Sequence, residues 1–339
     1  MIRAQSAPVG ILYTGGTFGM VASDQGYVPS TDLPQRAQAA FADTDLPELV
    51  WLDAATGPPV NSSDIGPRFW FTLAQTIREH RDQCVGFVVI HGTDTLAYTS
   101  SALAFLLADL DCPVVVTGAR APLGERDSDA LDNLHDAIHA VAHGLSPEVT
   151  VAFAGRLLRG TRASKRHGSR AHVFATPDDD TLAHPVRSCT EPCRNALAPA
   201  KLPAASVHDR EVTLLPIYPG IPGDLVRAAV DRGIAALLLE AYPAGVGPGN
   251  DADFVAAVRD ASERGVIVAA IPQSRLGSIR LGRYASSTPL ANAGLLGGGD
   301  MTREAALGKL HWLLGTALST ADLRERFVHD QRGELTPDA

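Results

Sequence analysis

At 339 residues, 45% of them hydrophobic and 20% charged, the chain has the balance of an ordinary soluble globular protein and more length than one core usually fills, so two domains are expected. Its 29 basic and 38 acidic residues leave a formal charge of −9, which argues against nucleic acid as a main partner because phosphate binding needs a basic face. No apolar run reaches the ~20 residues of a membrane span, and Met1 to Pro8 lack the apolar core of a signal peptide, so no membrane association and a cytoplasmic location are expected.

The first element is Val9-Gly10-Ile11-Leu12-Tyr13, an apolar run that reads as a buried strand of a parallel sheet. It stops at Thr14-Gly15-Gly16-Thr17. Paired glycines permit positive φ and close backbone approach, and the carboxyl end of a strand is where open α/β sheets bind ligands. Thr14 therefore stands where chemistry happens in this architecture. The glycine spacing, 15, 16 and 19, does not match a dinucleotide fingerprint, and no Gly-Lys-Ser/Thr follows to make a mononucleotide loop. The turn presents hydroxyls, not a phosphate cradle.

The polar stretch Asp24-Gln25-Gly26-Tyr27 reads as a surface loop, in which Tyr27 either packs or folds back as part of a lid. Leu49-Val50-Trp51-Leu52 is a second strand. Pro58 to Asp64 gathers hydroxyls and a carboxylate around Ser62 and Ser63, ahead of a helix starting near Pro67 that Asp64 or a neighbour would cap. Gly86 to Ile90 repeats the design of the first strand and ends in His91-Gly92-Thr93-Asp94-Thr95. One of these polar residues, Thr95 by preference, is expected to do no more than cap the next helix, over 97–109.

A strand at 113–118, a helix at 130–143 and a strand at 149–153 continue the alternation, which predicts parallel βαβ units in a doubly wound sheet. Arg156 to Arg170 is strongly basic and reads as a solvated hairpin, unless a single lysine, Lys165, turns inward. Prolines 185, 192, 199 and 203 mark a linker. The expected organisation is an N-terminal domain over 1–184, a linker over 185–211 and a smaller C-terminal α/β domain with its own parallel sheet over 212–339. In the latter, strands are expected at 212–218, 234–240 and 266–271 and helices at 302–318 and 320–329. Cys84 and Cys112 read as small buried hydrophobes, and Cys189 and Cys193 as free thiols of the linker, because a metal site would need a second ligand pair.

With both Thr14-Gly15-Gly16-Thr17 and His91-Gly92-Thr93-Asp94-Thr95 in place, the chain resembles bacterial-type L-asparaginases, most of all the cytosolic (type I) branch. Ser62-Ser63-Asp64, Tyr27 and Arg162-Ala163-Ser164-Lys165 match family positions too, and the likeness runs to the tail Arg332 to Asp338. The position after Ser62 is Ser63, where the periplasmic branch has glutamine. The resemblance implies hydrolysis of the side-chain amide of L-asparagine to L-aspartate and ammonia, without a cofactor or metal. It makes Thr14 the nucleophile, with Tyr27 bonding to its hydroxyl. Thr93, Lys165 and Asp94 form a second polar cluster that moves protons and orients water. Ser62, Ser63, Thr93 and Asp94 bind the substrate. It also implies a homodimer or homotetramer.

Some relatives in the cytosolic branch are activated by a second asparagine. This chain has Glu240 and Ser274 where those have arginine and cysteine, which implies hyperbolic kinetics unless Arg275 supplies the cation instead. Two other readings compete. An asparaginase-like subunit of a tRNA-dependent amidotransferase would carry a further N-terminal domain, whereas here a strand begins at Val9, and the acidic charge disfavours tRNA. A catalytically inactive amino-acid-binding protein of the same fold would not need Thr14, Thr93, Asp94 and Lys165 together.

Overall fold

A computed structural model describes residues 7–42, 44–168, 172–178, 180–243, 247–274 and 276–336. The chain forms two compact units, Met1–Lys201 and Leu202–Ala339. Residues 185–211 are divided between them. On one side Leu197 N–H bonds to Glu148 and Ala200 N–H to the Ala108 carbonyl; on the other, the Trp312 indole bonds to the Pro203 carbonyl.

In the first unit, a six-stranded sheet has the order β4 (Leu49–Leu52), β1 (Val9–Tyr13), β5 (Gly86–Ile90), β6 (Val114–Thr117), β7 (Val149–Phe153), β8 (Arg156–Arg159), where the numbering also counts the hairpin strands β2 (Val21–Ser23) and β3 (Gly26–Val28). Every pairing is parallel except β7 with β8. The central strands are apolar without interruption because both faces are covered. Leu12, Val89, Val116 and Val151 face one core with Leu73 of α2 (Pro67–Glu79) and Leu103 of α3 (Leu96–Leu106). Their neighbours Ile11, Val88, Val115 and Ala152 face the other with Ala37 of α1 (Leu33–Ala40) and Leu134 of α4 (Ala130–Ala142). The two-residue period of a strand puts alternate side chains into opposite cores.

The second unit holds an all-parallel sheet in the order β11 (Val212–Pro216), β12 (Ala236–Ala241), β13 (Ile267–Pro272), β14 (Leu296–Gly297), where β9 (Ser164–Lys165) and β10 (Phe174–Ala175) form a separate pair in the first unit. Its core is filled by Leu237, Leu239, Val268 and Ala270 with Val226 of α5 (Gly223–Asp231) and Phe254 of α6 (Ala252–Glu263). The two-α/β-domain class read from the sequence is the observed one.

Several local expectations are corrected. The 156–170 stretch is not a solvated basic hairpin: Leu157 and Leu158 are buried, Arg159 bonds to buried Glu148, and buried Arg162 bonds to Asp178. Arg170 lies outside the described residues. Asp64 does not cap α2; Gly66 occupies that position, and Asp64 belongs to a 3-10 turn, Ser62–Asp64. The helix expected over 302–318 is α8 (Arg303–Leu314), since the short α7 (Thr288–Asn292) precedes it, and ends at Gly315; α9 (Thr320–Val328) follows.

Candidate active site

Three segments converge at the carboxyl ends of β1 and β5. The parallel register that pairs Tyr13 with Ile90 puts Thr14 and His91 side by side on adjacent strands. Thr14 is buried, and both its N–H and its hydroxyl donate to the Ile90 carbonyl, each at 3.0 Å. The third segment enters through Val60, whose N–H bonds to the Thr14 carbonyl at 3.1 Å and whose carbonyl accepts from Gly16 N–H at 3.0 Å. Gly16, at φ 80°, is required twice over: the left-handed conformation disfavours any side chain, and a Cβ there would lie 2.2 Å from the Gly92 Cα. Gly92 has no more room, since a Cβ on it would lie 2.6 Å from Ser62 Oγ. The glycines thus do not hold a phosphate. They let the Thr14, Ser62 and Thr93 segments touch.

The turn after β5 is fixed from below by His91. Its Nδ1 lies 2.8 Å from the Gly92 carbonyl, which can only accept, so Nδ1 carries the proton. Nε2 must then accept, and the Thr99 hydroxyl donates to it at 3.0 Å. The Trp70 indole N–H in turn donates to the Thr99 oxygen at 3.1 Å. Burial holds the imidazole well below its ordinary value, at about 4, opposed by the bond to Gly92, so it is neutral near pH 7. In a trans peptide the carbonyl and the following N–H point opposite ways. Pinning the Gly92 carbonyl to His91 therefore directs the Thr93 N–H away from the core. Thr95 fills the N-cap position of α3 without capping it; its hydroxyl instead donates to the Ser62 carbonyl at 2.8 Å and ties two of the three segments together.

Lys165 turns inward. It sits on β9, and its Nζ donates to Thr93 Oγ1 at 2.9 Å and Asp94 Oδ1 at 2.5 Å. The lysine side chain is mostly covered, while the Asp94 carboxylate is open to solvent. The structure thus gathers Thr14, Ser62, Thr93, Asp94 and Lys165. It does not bring Tyr27 or Ser63 into their hydrogen bonds. Ser63 is exposed, and its N–H bonds to the Asn61 side chain. Tyr27, on β3, is half-exposed, and its hydroxyl bonds to Glu125, which with the carboxylate's charge raises the phenol above its usual range. No hydrogen bond joins Tyr27 to Thr14 among the described residues.

Two partners escaped sequence reasoning. His91 was visible in the motif, but its role depends on Thr99 and Trp70, which only packing brings under it. Glu125 has no local signature at all. Among the described residues no group of three or more His, Cys, Asp or Glu is placed to hold a metal, and no helix is long and apolar enough to cross a membrane. Cys189 and Cys193 are half-buried and not in a disulfide; burial first, then the neighbouring Cys189, pushes the Cys193 thiol up.

At the matching place in the second unit, Glu240 does not point to solvent. It is buried at the end of β12 and accepts from Arg303 Nε at 2.6 Å. The Gln273 amide donates to the Ile217 carbonyl at 2.5 Å and the Glu240 carbonyl at 2.7 Å. Ser274 Oγ bonds to the Leu276 carbonyl, and Arg275 lies outside the described residues.

The chain is similar to known proteins over nearly its whole length. Residues 8–191 match the family model described as Asparaginase, N-terminal, and residues 211–327 the Glutaminase/Asparaginase C-terminal domain. The chain is 39% identical to L-asparaginase 1 of Escherichia coli, over 98% of this chain and 99% of that one. The crystal structure of L-asparaginase I from Vibrio cholerae superposes with a TM-score of 0.86 at 33% identity, covering 97% and 99% of the two chains. A subunit of the glutamyl-tRNA(Gln) amidotransferase of Aeropyrum pernix is 29% identical, over 96% of this chain and 79% of that one. The chain belongs to the asparaginase family.

Proposed function

We propose that this chain is an L-asparaginase that hydrolyses the side-chain amide of L-asparagine, with Thr14 as nucleophile. The observation that carries the reading is Lys165, which reaches 72 residues back in sequence to bond both Thr93 and Asp94 beside the Thr14 turn. The identity to L-asparaginase 1 over nearly the full length of both chains supports it over the amidotransferase subunit, whose identity is lower and which is longer. It also weighs against an inactive binding protein, as does a lysine held on a second threonine.

The chemistry follows from what each group can give. The Thr14 proton is parked on a carbonyl, which orients the hydroxyl but cannot remove the proton. A threonine hydroxyl needs a base or a hydrogen-bonded partner to attack an amide. Tyr27, brought over from its hairpin, is that partner as a relay: a phenol raised above its usual range stays protonated, so its oxygen accepts the Thr14 proton while its own passes to the amide nitrogen. Attack on the amide carbon gives a tetrahedral oxyanion, and the outward-facing Thr93 N–H is the donor set for it, worth ~3 kcal/mol. The amide nitrogen, having received the proton that left Thr14, departs as ammonia, and the resulting acyl-enzyme is resolved by a water that Thr93, held by Lys165, orients. Asp94 is exposed enough to take the substrate's ammonium in a charge-assisted bond, and Ser62 and Ser63 take its carboxylate. A homodimer or homotetramer in the cytoplasm is part of the same reading.

The experiment is ammonia release from L-asparagine by the purified protein and by Thr14→Ala. Turnover abolished in the variant, with its Tm unchanged, supports the assignment; a variant that keeps more than about a tenth of wild-type kcat refutes it.

A further inference from the structure

The β2–β3 hairpin carries Tyr27 but has almost nothing to rest on. Its register is three pairs long, Val21 with Val28, Ala22 with Tyr27 and Ser23 with Gly26, and all of its residues but Val21 are exposed. The turn is closed by its own Ser23, whose hydroxyl donates to the Gly26 carbonyl at 2.6 Å. A two-stranded hairpin without a covering layer is marginal in water. Where it stands is therefore decided at its two feet.

Both feet meet at one guanidinium. Arg36, on α1 and three-quarters covered, donates from Nη1 to the Gly19 carbonyl at 3.0 Å, where the chain enters the hairpin. The same nitrogen reaches Asp32 Oδ1 at 3.4 Å, where the chain leaves it. Nη2 donates to the Leu123 carbonyl at 2.5 Å, in the loop that follows β6. That loop is bound a second time by Leu123 N–H on the Phe18 carbonyl at 2.9 Å, with both side chains buried. Two residues further on stands Glu125, the partner of the Tyr27 hydroxyl. A planar fork with five donors can hold two carbonyls of different segments at once; a lysine ammonium is a single point charge.

We infer that Arg36 is a positioning residue for the reaction: it fixes both feet of the Tyr27 hairpin and ties them to the loop after β6, so that Tyr27 travels between Glu125 and Thr14 from a constant base. The inference rests on the reading that Thr14 attacks and Tyr27 assists it. Arg36 itself touches neither Thr14 nor Thr93. Its contribution therefore passes through Tyr27 and vanishes when the phenol is gone.

The test is a double-mutant cycle of Arg36→Met with Tyr27→Phe, read by kcat and KM for L-asparagine, together with hydrogen exchange of the 21–28 amides. Arg36→Met is expected to lower kcat ~10-fold with little change in KM, and to speed exchange in the hairpin by a similar factor. Arg36→Lys recovers part of both, and the double variant is no slower than Tyr27→Phe alone. Losses that multiply in the double variant, or hairpin exchange unchanged in Arg36→Met, overturn the inference. Failure of the underlying reading shows differently, as turnover retained in Thr14→Ala or in Tyr27→Phe with Arg36 intact.

Discussion

The two units of the chain solve the same problem and leave opposite results. Each is a parallel sheet, and each brings polar side chains to the carboxyl ends of its strands, where such sheets bind ligands. In the second unit those groups are spent on one another: Glu240 holds Arg303, and Gln273 bridges two carbonyls. In the first they keep capacity in reserve. Thr14 has used its proton on a carbonyl but kept its oxygen, and the Asp94 carboxylate is open to solvent on one side. A polar cluster that satisfies itself is architecture; the one that remains incomplete is the site proposed for the substrate.

The largest expected effects lie in the incomplete cluster. Thr93→Val removes the hydroxyl that Lys165 holds and is expected to lower kcat by at least ~10³-fold in steady-state assays, with a folded protein by circular dichroism. Lys165→Met leaves Asp94 unpaired and is expected to cost ~10²-fold or more, again in kcat. If either variant turns over at near wild-type rate, the first unit's cluster is as inert as the second's.

The next effect is on stability. His91 is held down to about 4 by burial, from an ordinary 6.5, so the unfolded chain takes up the proton first. Stability is then full above pH 6.5 and is lost as pH falls through 4, by up to ~3 kcal/mol. His91→Asn keeps a donor for the Gly92 carbonyl but cannot titrate. Calorimetry from pH 7 to 4 is expected to give a shallower loss of Tm in the variant; an unchanged slope contradicts the buried neutral imidazole.

The smallest effects belong to the saturated cluster. Glu240→Ala breaks an ion pair whose arginine is half-exposed, so the expected loss is only ~1–2 kcal/mol in chemical denaturation. Because Glu240 already occupies Arg303, initial rates against L-asparagine are expected to follow a hyperbola. A Hill coefficient clearly above one means that the second unit also keeps a site in reserve.

What could be read from the sequence follows the range of the interactions involved. The central strands and the Thr14 and Thr93 turns were legible because an apolar run that stops at threonine and glycine is a local signal. Thr95 was misread as a cap because capping is also local, whereas its bond to Ser62 spans 33 residues. Lys165 stood out in the basic stretch as the lysine that would turn inward, but its partners came only with the family resemblance: β9 has two residues and no pattern of its own. The basic stretch misled for the same reason, since Glu148 and Asp178 neutralise it from outside the segment. Strand β14, Leu296–Gly297, carries no strand signature and forms only because β13 offers it an edge.

Thr14 and Thr93 are separated as the seat of the covalent intermediate by acid-quenching Lys165→Met during turnover of L-asparagine and mapping the protein by mass spectrometry, because this variant is expected to slow the water-driven second step. With Thr14 as nucleophile, an aspartyl adduct is expected on the peptide that carries Thr14, absent from the Thr14→Ala, Lys165→Met double variant. An adduct on the peptide that carries Thr93, or the same adduct surviving in the double variant, contradicts it.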